Sequence, residues 1–189
     1  MADAGIPERQ VRALFDDETI TVYQAYAPEI AEAALAAGSF VSPFKRDRMT
    51  WIKPSFLWMM HRSGWATKPG QERVLAVRIR RDGFEWALRH SSPSHDAARK
   101  HACPVRVQWD PERSLRLAPL GHRAIQVGIG GEAVGRYVDE WITGLSDVTP
   151  LAHAIHELVE AEELDAARGR LPLERAYELP ADLRAVVGG

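Results

Sequence analysis

The amino-acid sequence predicts an α+β fold: a single mixed α/β domain with a central, mostly antiparallel sheet and flanking helices. Three observations predict it. The chain has 189 residues, 46% hydrophobic and 26% charged, which suits one globular domain with an ample core. Runs of β-branched and aromatic residues recur along it, with helical patterns between them. The two kinds of segment are mixed without the strict strand–helix alternation of a doubly wound sheet. No repeat or low-complexity tract divides the chain, so residues 1–189 read as one domain, with a core over about 8–165 and a tail over about 169–189.

Each element has a local reason. Residues 19–26 alternate β-branched and aromatic side chains and read as a strand. Pro28 opens a helix over 28–37, which Gly38 closes, with Ile30, Ala34 and Leu35 as its apolar face. Residues 39–50 form a basic loop containing Pro43. Pro54 precedes a short helix over 55–62, stopped by Gly64. Residues 73–80 are a strand in which adjacent Val74 and Leu75 break the alternation, as a strand covered on both faces would. Asp82 can cap a helix to about residue 90, and residues 91–102, with Pro93, His95 and His101, read as a polar loop or irregular helix. Residues 105–109 are a strand, Asp110-Pro111-Glu112-Arg113 a turn, and 123–129 a further strand broken by Gly130-Gly131. An amphipathic helix follows over 132–143, with Val134, Tyr137, Val138 and Trp141 on one face. A last helix starts at Asp147 or Thr149 and runs to about residue 167, its core face lined by Leu151, Ile155, Leu158 and Val159. The tail from Gly169 reads as irregular and partly exposed.

Composition narrows the function classes. No apolar run approaches the roughly 20 residues that span a bilayer. The acidic, polar N-terminus lacks the basic and apolar regions of a secretory signal. Cys103 is the single cysteine, which excludes an intramolecular disulfide and disfavours a cysteine-based zinc site. These features point to the cytoplasm and away from membranes. The net charge of −2 is unevenly spread: residues 1–44 carry −5, residues 45–106 carry +9 and the remainder −6. A basic middle suits an anionic partner, a nucleotide or nucleic acid. Intermixing of these charges in the fold is the alternative.

The segment from Trp51 to Trp65 concentrates the chemistry. It holds three of the six tryptophans, and Lys45, Arg46, Arg48, Lys53, Arg62 and Lys68 surround it, with Asp47 the one acid between residues 45 and 68. Rings that stack on bases beside cations that attract phosphates make up a nucleotide or nucleic-acid site. Trp51, Trp58 and Trp65 also recur every seven residues, the spacing of a buried helical stripe. Pro54 and Gly64 limit that stripe, leaving Trp58 to the core and Trp51, Lys53, Ser55, Arg62 and Trp65 as ligand-facing candidates. Gly128-Ile129-Gly130-Gly131 lacks both phosphate-loop patterns. His153 and His156 share a helix face, but no third ligand is evident and no metal is expected.

Four phrases carry a family resemblance. The run R9-Q-V-R-A-L-F-D-D-E-T-I-T-V-Y-Q-A-Y26, the block W51-I-K-P-S-F-L-W-M-M-H-R-S-G-W65, Q108-W-D-P-E-R113, and R123-A-I-Q-V-G-I129 followed by R136-Y-V-D-E-W-I142 resemble the bacterial and fungal family of domain of unknown function 4291. The resemblance covers roughly residues 8–165 and by itself supplies no activity. A more distant resemblance is to the ADP-ribosyltransferase fold. It would set Tyr23 and Gln24 on a first strand before a helix and Gly38-Ser-Phe40, Trp51 and Ser55 in a second region, and Gln126, with Glu132 as the other candidate, at the catalytic position on a late strand. It implies NAD as cofactor and a nucleic-acid or protein acceptor. Breaking the nicotinamide–ribose bond builds positive charge on the ribose, so the site must hold the ribose hydroxyls and stabilise that cation. A glutamine can hydrogen-bond ribose, whereas a carboxylate stabilises the cation better. The other reading is a non-catalytic RNA or single-stranded DNA binding module.

Overall fold

In a computed structural model, which describes residues 5–94 and 103–188, the strands form two principal sheets and one small pair. The first sheet holds β2 (Thr19–Tyr26), β4 (Arg73–Arg80) and β8 (Ile142–Asp147), in the order β2-β4-β8 and antiparallel throughout. The second holds β3 (Thr50–Ile52), β5 (Ser91–Pro93), β6 (Val105–Arg113) and β7 (Pro119–Ile129), in the order β3-β7-β6-β5, with only β5–β6 parallel. A single bridge joins the two: Tyr23 and Lys53 exchange backbone hydrogen bonds of 2.7 and 3.2 Å. β1 (Arg12–Ala13) pairs with β9 (Arg175–Ala176), so the two ends of the chain meet. The expected mixed α+β domain is what forms.

The helices cover both faces of the first sheet. α1 (Pro28–Ala37), α3 (Arg81–Arg89), α4 (Glu132–Arg136) and α7 (Ala181–Val187) pack in one apolar cluster with Ile20, Val22, Leu75, Val77 and Ile79. α2 (Phe56–Ser63), α5 (Thr149–Glu160) and α6 (Leu164–Gly169) pack in a second with Tyr23 and Val74. Val74 and Leu75 therefore serve opposite faces, which explains their broken alternation. Fully buried Phe84 and Leu88 each contribute roughly 1.5–3 kcal/mol by leaving water. Gly38 (φ 73°) and Gly64 (φ 60°) end α1 and α2 in the left-handed conformation, as expected of their sequence positions.

Four expectations are corrected. Residues 110–113 are no turn: β6 runs on through Pro111 to Arg113. β5 pairs only with residues 105–107, so among the described residues Pro111 has no strand beside it on that side and its missing N–H costs no ladder bond. The helix expected over 132–143 ends as α4, passes through a π-helical turn (Tyr137–Trp141) and becomes β8 at Ile142. The helix expected to run to about residue 167 breaks after Glu160 into α5 and α6, with Glu162 at a left-handed φ of 60°. The tail is ordered and docked: Leu179, Leu183 and Val187, at helical spacing, are buried in the core, and the Trp109 indole donates to the Val187 carbonyl at 2.8 Å. Most of the loop expected at 91–102 lies outside the described residues, and its described start forms β5.

Candidate functional site

The single bridge at Tyr23–Lys53 makes a fork. Beyond it β2 and β3 are no longer paired, and the space between the two sheets opens as a cleft of about 590 Å³. Gln24 and Tyr26 from β2, Thr50 and Trp51 from β3, Lys53, Arg62 and Met59 from α2 and its approach, Gln108 from β6, Gln126 from β7, and Arg48 from the loop before β3 all line it.

At the fork Gln24 is locked. It is buried, and its Oε1 accepts from the Tyr137 hydroxyl at 2.6 Å. Its Nε2 lies 2.6 Å from Thr50 Oγ1 and 2.8 Å from the Tyr26 hydroxyl, which are 2.7 Å from each other. Burial raises the Tyr26 hydroxyl to about 12 and also lifts that of Tyr137 well above its ordinary value, so both stay protonated donors. A side chain this fully engaged positions the wall of the cleft and has little left to offer a ligand. The π-helical turn contributes to this arrangement, because it carries Tyr137.

Across the cleft the register of β6 and β7 sets Gln108 opposite Gln126. Asp110, two residues on, shares their face of the sheet. Its Oδ1 accepts from Gln108 Nε2 at 2.9 Å and its Oδ2 from Gln126 Nε2 at 2.7 Å. Two amides thus hold one carboxylate in a fixed plane. Gln126 Oε1 meets no donor among the described residues, so it can accept from a ligand.

Three cations face this polar wall. Lys53 is 5% exposed. Its Nζ lies 5.5 Å from the Trp58 ring centroid and has no hydrogen-bond or ion-pair partner among the described residues. Burial first, and the nearby Arg62 charge second, push its ammonium down to about 8, against a smaller opposing pull from Asp110. The guanidinium groups of Arg48 and Arg62 also have no hydrogen-bond or ion-pair partner among the described residues. Other basic groups of the central segment are neutralised: Arg46 on Asp139, Arg73 on Asp147 and Glu32, Arg80 on Asp82. The charges of the basic middle are therefore intermixed with acids in part, while Arg48, Lys53 and Arg62 are left without an ion-pair partner among the described residues.

Trp51 completes the cleft. Its indole lies over Gly128, its register partner on β7, where an added Cβ would meet the ring at 2.9 Å. Gly128 is thus required for the ring's position, not for a phosphate loop.

Of the nine sequence-derived site residues, Gln24, Trp51, Lys53, Arg62 and Gln126 converge here and four do not. Tyr23 neighbours Gln24 on β2, so its ring points to the opposite face, where it is buried against Phe56 at 5.4 Å. Ser55 is turned into the protein: it caps α2 through the Trp58 N–H at 3.1 Å and donates to Glu112 Oε1 at 2.8 Å. Trp65 is buried and stacked on His156, with centroids 5.2 Å apart, among the residues of α5. Glu132 is exposed in the first turn of α4 and does not line the cleft. Asp110, Gln108 and Thr50 carry no sequence signal that was read, and Arg48, named among the cations around the block, also lines the cleft. The Gln108–Asp110 spacing of two was the available signal, hidden by reading Asp110-Pro111 as a turn. Among the described residues no group of three or more His, Cys, Asp or Glu is placed to hold a metal ion, and no helix is long and apolar enough to cross a membrane.

The chain belongs to the family described as domain of unknown function (DUF4291), whose model matches residues 10–177. Comparison with curated proteins finds no match.

Proposed function

We propose that the cleft between the two sheets binds a phosphate-bearing nucleotide, and that the protein is an ADP-ribosyltransferase-like enzyme using NAD. One observation carries the reading. Arg48, Lys53 and Arg62, cations without a partner among the described residues, line one cleft with Gln71, Gln108, Gln126 and the half-buried Trp51. Unneutralised cations suit phosphate oxygens, glutamine amides suit ribose hydroxyls or base edges, and the Trp51 ring offers a stacking face. A volume of about 590 Å³ is within the range of small-molecule and cofactor sites.

The reaction needs a group that stabilises positive charge on the ribose as nicotinamide leaves. Asp110, hydrogen-bonded to the cleft-lining Gln108 and Gln126, is the carboxylate directly behind this wall, and Gln126 Oε1 can hold a ribose hydroxyl. In this reading Gln126 positions and Asp110 supplies the charge, a division of roles that replaces Glu132. The more distant resemblance to the ADP-ribosyltransferase fold supports the choice of NAD. The alternative, a non-catalytic RNA or single-stranded DNA module, has less support, since Trp58 and Trp65 are buried and only Trp51 is left to stack on a base.

Thermal-shift titrations with NAD, ADP-ribose and ATP, followed by assay of released nicotinamide, test the proposal. It predicts stabilisation by NAD at millimolar concentration, loss of that stabilisation in Arg62→Ala, and nicotinamide release that Asp110→Asn abolishes. No stabilisation by any of the three overturns it. Stabilisation by an oligonucleotide alone, falling steeply with salt, would support the nucleic-acid alternative instead.

A further inference from the structure

We infer that Lys53 is a nucleophilic amine that forms an imine with the carbonyl group of a phosphate-bearing aldehyde bound in this cleft. The inference goes beyond nucleotide binding and stands on the surroundings of Lys53 itself.

A buried lysine ordinarily finds a carboxylate or carbonyl acceptor. Lys53 has none among the described residues, although its main chain is fixed on both sides by the Tyr23 bridge. Lys53 is buried, and its ammonium lies 5.5 Å from the Trp58 ring centroid at the edge of the cleft. Desolvation beside a second cation, here Arg62, is how a lysine is made nucleophilic near neutral pH. With its ammonium lowered to about 8, Lys53 at that pH holds roughly a hundredfold more neutral amine than an exposed lysine.

The same cleft selects the electrophile. Arg48 and Arg62 can hold a phosphate while Lys53 reaches the carbonyl. The Nζ lone pair adds to the carbonyl carbon and the C=O π pair moves to oxygen, giving a carbinolamine. That intermediate loses its oxygen, with the two amine protons, as water and leaves a C=N bond to Lys53. No oxidant or reductant is consumed.

The chain has only four lysines, Lys45, Lys53, Lys68 and Lys100, which makes mapping direct. The full chain is incubated with pyridoxal 5′-phosphate, reduced with borohydride and digested, and each lysine peptide is quantified by mass spectrometry. Pyridoxal, which lacks the phosphate, is the second probe. The expected result is labelling of Lys53 at least about tenfold above exposed Lys45 and Lys68 at pH 8, with a pH midpoint near the lowered ammonium value. Pyridoxal should label Lys53 far less, and Arg62→Gln should both weaken the phosphate preference and move the midpoint upward. Lys53→Met should lose the label while its melting temperature shows that it remains folded. Labelling spread evenly over the lysines, or absent from Lys53, overturns the proposal; equal labelling by the two probes overturns its phosphate half. Nucleotide stabilisation is read without any aldehyde, so either result can fail alone.

Discussion

Two sides of one short segment, Lys53 to Phe56, bury charge in opposite ways. Towards the cleft, Lys53 has no acceptor among the described residues. Away from it, Ser55 and Phe56 meet two enclosed acids. Glu112 accepts from the Ser55 hydroxyl at 2.8 Å and from the Arg113 N–H at 2.8 Å, and Glu174, arriving from the tail, accepts from the Phe56 N–H at 2.7 Å. Burial, with Glu112 close by, raises the Glu174 carboxyl to about 8, so at neutral pH it is mostly protonated while it latches the tail onto the start of α2. Glu112 is also raised, by burial. The acids are supplied with donors and serve architecture. The lysine has no acceptor among the described residues and borders an open cleft, the condition expected where stability is given up for function.

The largest effect expected from this contrast is on the acid side, as a pH dependence. Glu174 holds its proton more tightly folded than unfolded, so its contribution is complete below about pH 4.5 and is lost as pH rises through about 8. Between pH 5 and 8 the loss should be on the order of 4 kcal/mol. Glu174→Gln keeps an acceptor for the Phe56 N–H, so it should flatten this limb in urea unfolding measured across that range. An unchanged limb would break the latch.

Lys53 acts in the adjacent window with the opposite slope. Its folded value is depressed, so the penalty is complete below about pH 8 and is relieved as pH rises towards 10.5. Lys53→Met should therefore stabilise the protein at pH 7, by on the order of 3 kcal/mol, and abolish the recovery above pH 8. A destabilised Lys53→Met would mean that the ammonium has a partner after all.

Ser55→Ala should have the smallest effect, a loss of about 1 kcal/mol from removal of the α2 cap. Its chemical denaturation midpoint should fall while NAD stabilisation is unaffected, because Ser55 faces the acids. A change in NAD response would move Ser55 back to the cleft.

Much of this fold was legible because strand periodicity is local: the strand runs at 19–26, 73–80, 105–109 and 123–129 all reside in real strands. What the sequence hid depends on partners distant along the chain. Pro111 suggests a turn until β5 is seen to stop at residue 107. Ile142-Thr-Gly-Leu-Ser-Asp147 has no clean alternation, and becomes a strand by pairing with β4. The tail reads as irregular and partly exposed until Glu174 finds the Phe56 N–H. In the candidate site, the residues of the block from Trp51 to Trp65 divide by strand parity and helix face, with Trp51, Lys53 and Arg62 on the cleft and Ser55 and Trp65 turned away from it. Parity on β2 sends Gln24 into the cleft and Tyr23 to the other side. Asp110 went unrecognised because its role depends on two glutamine amides that only the β6–β7 register brings together.

The central claim is that Lys53 gives up stability for binding at the cleft. One measurement tests it directly: melting of wild type and Lys53→Met at pH 7, each with and without saturating NAD. The account predicts that the variant melts higher than wild type without ligand and gains nothing from NAD, whereas wild type gains. A variant that melts lower without ligand, or that is stabilised by NAD as much as wild type is, would contradict it.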